Sequence, residues 1–192
     1  MIAIVKYNAG NIRSVMNALE RLGARYMLTD DETALRKADK VIFPGVGEAS
    51  TAMAYLRQRG LDKILTTLEQ PFLGICLGMQ LMCAFSEEND TAGLGIFSET
   101  VKLFPSTGIV PHMGWNDFRT VRGPLFAGIG AGENMYYVHS YYVETGSETS
   151  AVCEYLLPFS AALQKDNYYG VQFHPEKSAG SGQKLLRNFL EL

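Results

Sequence analysis

The residues best suited to do chemistry surround Cys76, in residues 74–78, which read Gly-Ile-Cys-Leu-Gly. They follow an apolar run predicted as a strand and open a predicted helix, which is the setting of a nucleophile elbow with Cys in place of Ser. The flanking glycines permit the tight turn, and the start of the helix favours thiolate over thiol. The pattern predicts a nucleophilic cysteine, against the alternative of a buried, unreactive cysteine at a strand end. Cys83 and Cys153 have no flanking glycines and are predicted to be structural.

A cysteine nucleophile needs a base and a group that orients the base, and His174 and Glu176 can supply both. They lie in residues 172–176, Gln-Phe-His-Pro-Glu, at the end of an apolar run. The proline stops a strand and fixes φ, so the two side chains can meet beside the sheet edge; the alternative is a histidine of a surface turn. Of the remaining histidines, we predict His139 to be a strand residue bonded to backbone and His112 to lie on a loop.

Residues 44–47, Pro-Gly-Val-Gly, form a glycine-bearing turn that leaves a strand next to the one that precedes the cysteine. The backbone N–H groups of Gly45, Val46 and Gly47, with that of Leu77, can form an oxyanion hole for a tetrahedral intermediate. The alternatives are a phosphate-binding turn and a merely tight turn. Rossmann and P-loop fingerprints are absent from the sequence. The histidines and cysteines lack zinc-ligand spacing, so we expect neither a metal nor a cofactor.

The elements that must position these residues alternate between strand and helix in the first half of the chain. Predicted strands span residues 2–5, 25–28, 41–43 and 72–75, and predicted helices span residues 12–22, 31–38, 48–58, 61–69 and 77–85, the first capped by Asn11. Later segments rich in β-branched and aromatic residues predict strands over 99–104, 134–143, 150–155, 161–165 and 168–173, and a last helix spans 183–190.

Apolar strands that alternate with helices predict a parallel sheet covered on both faces. We therefore predict an α/β fold: a three-layer, open, mixed and mostly parallel sheet with helices on both faces, plus a small antiparallel annex from the second half. Because single cores commonly reach a couple of hundred residues, residues 1–192 are predicted to form one domain.

The composition narrows the class of protein. The 192 residues carry 17 Lys and Arg against 20 Asp and Glu, a formal net charge of -3, with no basic cluster. This argues against a nucleic-acid binder and against a binder of anionic membranes, and no apolar run approaches the roughly 18 residues of a spanning helix. The chain has three cysteines, and its opening segment is unlike a signal peptide. We therefore expect a cytoplasmic protein.

Two separated motifs in the right order carry a family resemblance: Gly-Ile-Cys-Leu-Gly-Met-Gln at 74–80 and Phe-His-Pro-Glu at 173–176. With them, the chain resembles the class I (triad) glutamine amidotransferases over its whole length. Within that class it is most similar to the glutaminase subunits of imidazole glycerol phosphate synthase, on residues 7–14, 44–47, 111–116, 137–141 and 174–178. Pro-Gly-Val-Gly stands where other members usually carry Pro-Gly-Gly. Lys6 precedes the tyrosine where relatives often have Asp.

The resemblance implies a flavodoxin-like class I amidotransferase fold and a triad in which Cys76 is the nucleophile, His174 the base and acid, and Glu176 the orienting carboxylate. It implies a glutamine pocket formed by Gln80, Glu88, Ser140 and Tyr141, with backbone contacts from Gly47 and Leu77. It also implies that Tyr136, Lys177, Asn11 and Trp115 face a partner or the point where ammonia leaves.

The implied activity is hydrolysis of L-glutamine to glutamate and ammonia through a thioester, in histidine biosynthesis. The implied partner is a (β/α)8-barrel cyclase that receives the ammonia within a heterodimer, and this chain lacks the eight βα units that such a barrel needs. Two alternatives stay open: a glutaminase subunit of a sister synthase of the pyridoxal phosphate or anthranilate type, and a noncatalytic flavodoxin-like binding module.

Overall fold

The computed structural model describes residues 1–8 and 12–192 of the chain. Its strands are β1 Ile2–Val5, β2 Tyr26–Thr29, β3 Lys40–Gly45, β4 Phe72–Cys76, β5 Phe85–Ser86, β6 Thr91–Ala92, β7 Thr100–Leu103, β8 His112–Val121, β9 Asn134–His139, β10 Tyr141–Val143, β11 Thr149–Tyr155, β12 Leu157–Lys165 and β13 Tyr168–Val171. Its helices are α1 Ile12–Arg21, α2 Glu32–Lys37, α3 Ala49–Gln58, α4 Leu61–Leu65, α5 Leu77–Met82 and α6 Ala179–Glu191. None of the described helices is both long and apolar enough to cross a membrane.

The main sheet has the strand order β2-β1-β3-β4-β13-β12-β11-β8-β9. From β2 to β13 neighbouring strands run parallel, and from β13 to β9 they run antiparallel. A second sheet, with the order β10-β7-β5-β6, is mainly antiparallel. The predicted mixed α/β architecture is confirmed, and most of its antiparallel strands extend the main sheet.

The central parallel strands β1 and β4 are apolar and buried along their whole length because both faces of the sheet are covered there. In β1, Ile2 and Ile4 face a core that includes Leu19 of α1 and Leu185 of α6. Ala3 and Val5 of the same strand belong to the opposite core, against helices α2 to α5. The period-two alternation of a strand thus divides one short apolar run between two cores, and the three predicted layers are observed.

The strand order determines where the functional residues meet. β3, β4 and β13 are adjacent and parallel, so their carboxyl ends lie at the same edge of the sheet. Gly45, at the end of β3, pairs with Cys76, at the end of β4. Val171 of β13 pairs with Ile75, so the segment that follows β13 continues past the same edge. Open α/β sheets bind ligands at the carboxyl ends of their strands.

The predicted helices over 61–69 and 77–85 end earlier, at Leu65 and Met82, and two further segments differ in kind. His112 does not lie on a loop: it begins β8, a strand with few apolar residues that pairs with both β9 and β11. The predicted strand over 134–143 is broken at Ser140, where the chain leaves the main sheet and enters the second one. Both differences arise from pairing with distant strands, which a local pattern does not contain. The proposed helix cap, Asn11, lies outside the described residues.

Candidate active site

Cys76 occupies the sharp turn between β4 and α5. Its backbone has φ 54° and ψ -112°, outside the regions that side chains normally allow. The glycines on either side make the turn possible, because a Cβ on Gly78 would collide with the carbonyl oxygen of Phe43. A Cβ on Gly74 would come within 2.9 Å of the backbone nitrogen of Met79. A residue held in such a conformation by its surroundings is typical of a functional site.

His174 and Glu176 follow β13 and form a buried pair. Nδ1 of His174 lies 2.8 Å from Oε1 of Glu176. The backbone N–H of His174 donates to the carbonyl oxygen of Tyr136 at 2.9 Å, and the Ser178 hydroxyl donates to the His174 carbonyl oxygen at 2.6 Å. The two backbone bonds fix the main chain at His174. The Glu176 carboxylate accepts from Nδ1–H and so determines which ring nitrogen carries the proton.

The charge state of His174 is linked to Cys76. Burial by itself lowers the pKa of the imidazole, but the Cys76 sulfur and the Glu176 carboxylate outweigh burial and raise the pKa to about 10. Nε2 of His174 is buried and meets no acceptor at full hydrogen-bond geometry among the described residues. The arrangement therefore favours the charged imidazolium form of His174 beside the cysteine.

The predicted oxyanion turn lies directly beside Cys76. The Tyr7 hydroxyl donates to the carbonyl oxygen of Pro44 at 2.7 Å and so orients the Pro44 peptide. A Cβ on Gly45 would lie 2.5 Å from that hydroxyl oxygen, so only glycine fits here. Gly47 has φ +111°, a conformation that favours glycine.

A cavity of about 390 Å³ opens next to the cysteine, lined by Val46, Gly47, Cys76, Leu77, Gln80, Glu88, Pro111, Val138, His139, Ser140 and Tyr141. The lining includes all four residues predicted to hold a substrate: Gln80, Glu88, Ser140 and Tyr141. Oε2 of Glu88 accepts a hydrogen bond from the Ala49 N–H at 2.7 Å, and burial raises the pKa of this carboxyl. The volume of the cavity suits a small polar molecule.

Sequence reasoning missed two polar residues of this region. Gln172 is fully buried, and its Nε2 lies 3.7 Å from the Cys76 sulfur. His139 lines the cavity, and its Nδ1 lies 2.8 Å from the carbonyl oxygen of Tyr141. A glutamine inside the apolar run at 168–173 was the available signal for Gln172. Nothing local identified His139.

The histidines at 112 and 139 form a second buried pair. Because a carbonyl only accepts, His139 must donate to Tyr141 through Nδ1 and accept at Nε2 from Nδ1 of His112, at 3.1 Å. Burial lowers the pKa of His112 to about 4 and that of His139 to about 3. Both rings are therefore neutral at physiological pH, which matches the backbone-bonded role predicted for His139.

Three of the residues predicted to face a partner lie together on β8, β9 and the turn after His174. The rings of Trp115 and Tyr136 are 6.0 Å apart, and Nζ of Lys177 lies 6.0 Å from the centre of the Tyr136 ring. Trp115 is 54% exposed and nearby Met113 63% exposed, which is unusual for large apolar side chains and typical of an interaction surface. The fourth predicted residue, Asn11, lies outside the part of the chain that the structure describes.

Comparison with known proteins places this geometry in a family. The family model of class-I glutamine amidotransferases matches residues 3–192. A protein of Bacteroides fragilis named imidazole glycerol phosphate synthase subunit HisH is 54% identical over 194 residues, covering 100% of this chain and 99% of that protein. The protein of the same name from Haemophilus influenzae is 45% identical over 192 residues, covering 99% and 96%.

A crystal structure described as a glutamine amidotransferase has the same fold, with a TM-score of 0.77 at 19% identity over 100% of this chain and 98% of that one. The sequence matches extend over whole chains, so they include both the cysteine elbow and the later histidine segment. The chain therefore belongs to the class-I glutamine amidotransferase family, in the branch of the imidazole glycerol phosphate synthase HisH subunits.

Proposed function

We propose that the chain is the glutaminase subunit of an imidazole glycerol phosphate synthase. It hydrolyses L-glutamine to glutamate and ammonia, with Cys76 as nucleophile, His174 as base and acid, and Glu176 as the carboxylate that orients the imidazole. The observation that carries this proposal is that the buried His174–Glu176 pair, which follows β13, interacts with Cys76 at the end of β4, where the cysteine opens onto a cavity. The relatives' name supplies the particular synthase.

In the first half of the reaction, the proton of the Cys76 thiol passes to His174. The thiolate then attacks the side-chain amide carbon of glutamine, and the carbonyl oxygen becomes an oxyanion. The N–H of Leu77, which follows the cysteine, and the turn at 45–47 supply hydrogen bonds to that oxygen. Imidazolium gives its proton to the amide nitrogen, the C–N bond breaks, and ammonia leaves a γ-glutamyl thioester.

In the second half, His174 takes a proton from water, and the resulting hydroxide attacks the thioester carbon. The C–S bond breaks, the sulfur recovers the proton from the imidazolium, and glutamate leaves. Glu176 stabilises the imidazolium in both halves through the 2.8 Å contact with Nδ1. The net change consumes one glutamine and one water and yields one glutamate and one ammonia.

The cavity residues account for recognition of the amino-acid end of glutamine. Glu88 offers a carboxylate to the substrate ammonium group, and an ammonium partner would offset the burial that raises the pKa of Glu88. Gln80, Ser140 and Tyr141 line the same cavity. We propose that these four residues hold the substrate while its amide reaches the sulfur.

The ammonia is passed to a partner that this chain does not contain. The described main sheet is open, with β2 and β9 at its edges, so it is no (β/α)8 barrel. We propose that a barrel cyclase docks on the surface of Trp115, Tyr136 and Lys177 and forms a heterodimer with this chain. Enclosure of the ammonia between the subunits avoids its conversion to ammonium, which is not a nucleophile. The three free cysteines suit the reducing cytoplasm, where we place the enzyme.

A glutaminase assay with and without a barrel cyclase and its nucleotide ligand tests the proposal. We expect glutamate release with the complete complex, and we expect Cys76→Ala to abolish it, leaving at most the residual rate of binding and oxyanion stabilisation. Cys83→Ala is the matched control, because Cys83 is also a buried free thiol and directly follows α5, the helix that begins after Cys76. Glutamate release by the Cys76→Ala complex at the parental rate would refute the assignment of the nucleophile.

A further inference from the structure

The buried amide of Gln172 contacts the sulfur of Cys76. Gln172 is the first residue after β13, two residues before His174, and is fully inaccessible to solvent. Its Nε2 lies 3.7 Å from the Cys76 sulfur, an ordinary distance for a hydrogen bond to sulfur. None of the roles assigned above to the triad, the oxyanion turn or the glutamine pocket includes this residue.

The orientation of the Gln172 amide follows from its neighbours. The Gln80 amide lies 3.0 Å from the carbonyl oxygen of Tyr141, which can only accept, so the Gln80 atom there must be the nitrogen, Nε2. The same nitrogen lies 2.9 Å from the Gln172 side chain, so the Gln172 atom that faces it must be the oxygen. The other end of the Gln172 amide, which faces the sulfur, is then an N–H donor. A backbone carbonyl thus determines, through two side chains, that a donor points at the nucleophile.

We infer that Gln172 is a further residue of the glutaminase site, which stabilises the thiolate form of Cys76 by a hydrogen bond whose donor is oriented by Gln80. An N–H donor binds a thiolate more strongly than a thiol, because bonds to charged acceptors are the stronger ones. The same series of hydrogen bonds connects the nucleophile to Gln80 and Tyr141, two residues of the glutamine cavity. The importance of this role for catalysis rests on the proposed function, but the hydrogen bond itself does not.

The test measures alkylation of Cys76 by iodoacetamide, which reacts with thiolate, in the whole chain without glutamine or partner. Peptide mapping distinguishes Cys76 from the other two cysteines. We expect Gln172→Met to slow alkylation at pH 7 by about tenfold and to move its pH profile upward by about one unit. Gln172→Glu, which keeps the size and replaces the donor by an acceptor, should slow it at least as much. Gln164→Met is the matched control, because Gln164 lies on β12 away from the cavity.

A purely structural role for Gln172 would lower thermal stability and leave the pH profile of alkylation unmoved. Rates for Gln172→Met and Gln172→Glu within twofold of the parent would overturn the inference. Should neither variant fold, Gln80→Met decides: it frees the Gln172 amide to rotate and should slow alkylation about threefold, whereas the parental rate would contradict the orientation argument. Because the readout needs no turnover, the two ideas fail separately: if the parental chain released no glutamate in the complete complex while its alkylation still depended on Gln172 as expected, the proposed function alone would be refuted.

Discussion

Replacement of Glu176 by glutamine tests the role of the carboxylate most directly. The variant keeps the size of the side chain and can still accept a hydrogen bond from Nδ1 of His174, but it removes the negative charge that lies 2.8 Å away. Glu176 does not line the glutamine cavity. We therefore expect Glu176→Gln to lower kcat and to leave the KM for glutamine almost unchanged.

The magnitude follows from burial of both groups. A hydrogen bond to a charged group contributes about 1.5–3 kcal/mol, and loss of the partner of a buried charge costs more. Both side chains are almost inaccessible, so we expect the imidazolium to lose about 2–4 kcal/mol of stabilisation. At 1.36 kcal/mol for each factor of ten, kcat should fall about 30- to 900-fold.

The assay is glutamate release by the complete complex at saturating glutamine, with thermal unfolding as a check that the variant is folded. Glu32→Gln is the control, because Glu32 forms an exposed ion pair with Arg36 on α2. This variant should change kcat less than twofold. A folded Glu176→Gln enzyme with a kcat within threefold of the parental kcat would refute the catalytic role assigned to the Glu176 carboxylate. A rise in KM with constant kcat would show that Glu176 acts in binding instead.

Two further changes test the surroundings of the site. Tyr7→Phe removes the hydroxyl bonded to the Pro44 carbonyl oxygen and should lower the free energy of unfolding by about 1–3 kcal/mol together with kcat; a parental kcat would show that the turn does not need this bond. The neutral pair His112 and His139 should make the protein less stable as pH falls. Their folded pKa values, about 4 and about 3, lie below the usual 6.5, so the unfolded state binds more protons from about pH 6.5 downward. The free energy of unfolding should then fall by up to about 1.4 kcal/mol per pH unit for each histidine. Denaturant titrations between pH 4 and 8 should show a shallower fall in His139→Gln, and an equal slope would contradict the assignment.

The parts of the fold that sequence could predict are those with a local cause. The strands β1, β3 and β4 are short apolar runs because both their faces are buried, and such runs are visible without knowledge of the neighbours. The mixed α/β architecture and the family were predicted from such runs and from two motifs. The family comparison confirmed both.

The parts that sequence reasoning missed depend on distant partners. β8 has a weak apolar pattern and is a strand because β9 and β11 pair with it on either side. The break at Ser140 exists because one end of the predicted strand pairs in the main sheet and the other end pairs with β7. That break puts Ser140 and Tyr141 beside the cavity, so a secondary-structure error and the geometry of the site have one cause.

The sequence by itself determined the turn at Cys76, because its requirements are met by residues next to one another: a strand, two glycines and a helix start. It also contained the pairing of His174 with Glu176, two positions apart. Only the tertiary structure brought these two pieces together, because β3, β4 and β13 are neighbours in the sheet although β13 follows β4 by nearly a hundred residues. Hydrogen bonding between strands acts across any separation along the chain, and the contact of Gln172 with the cysteine sulfur became visible only through it.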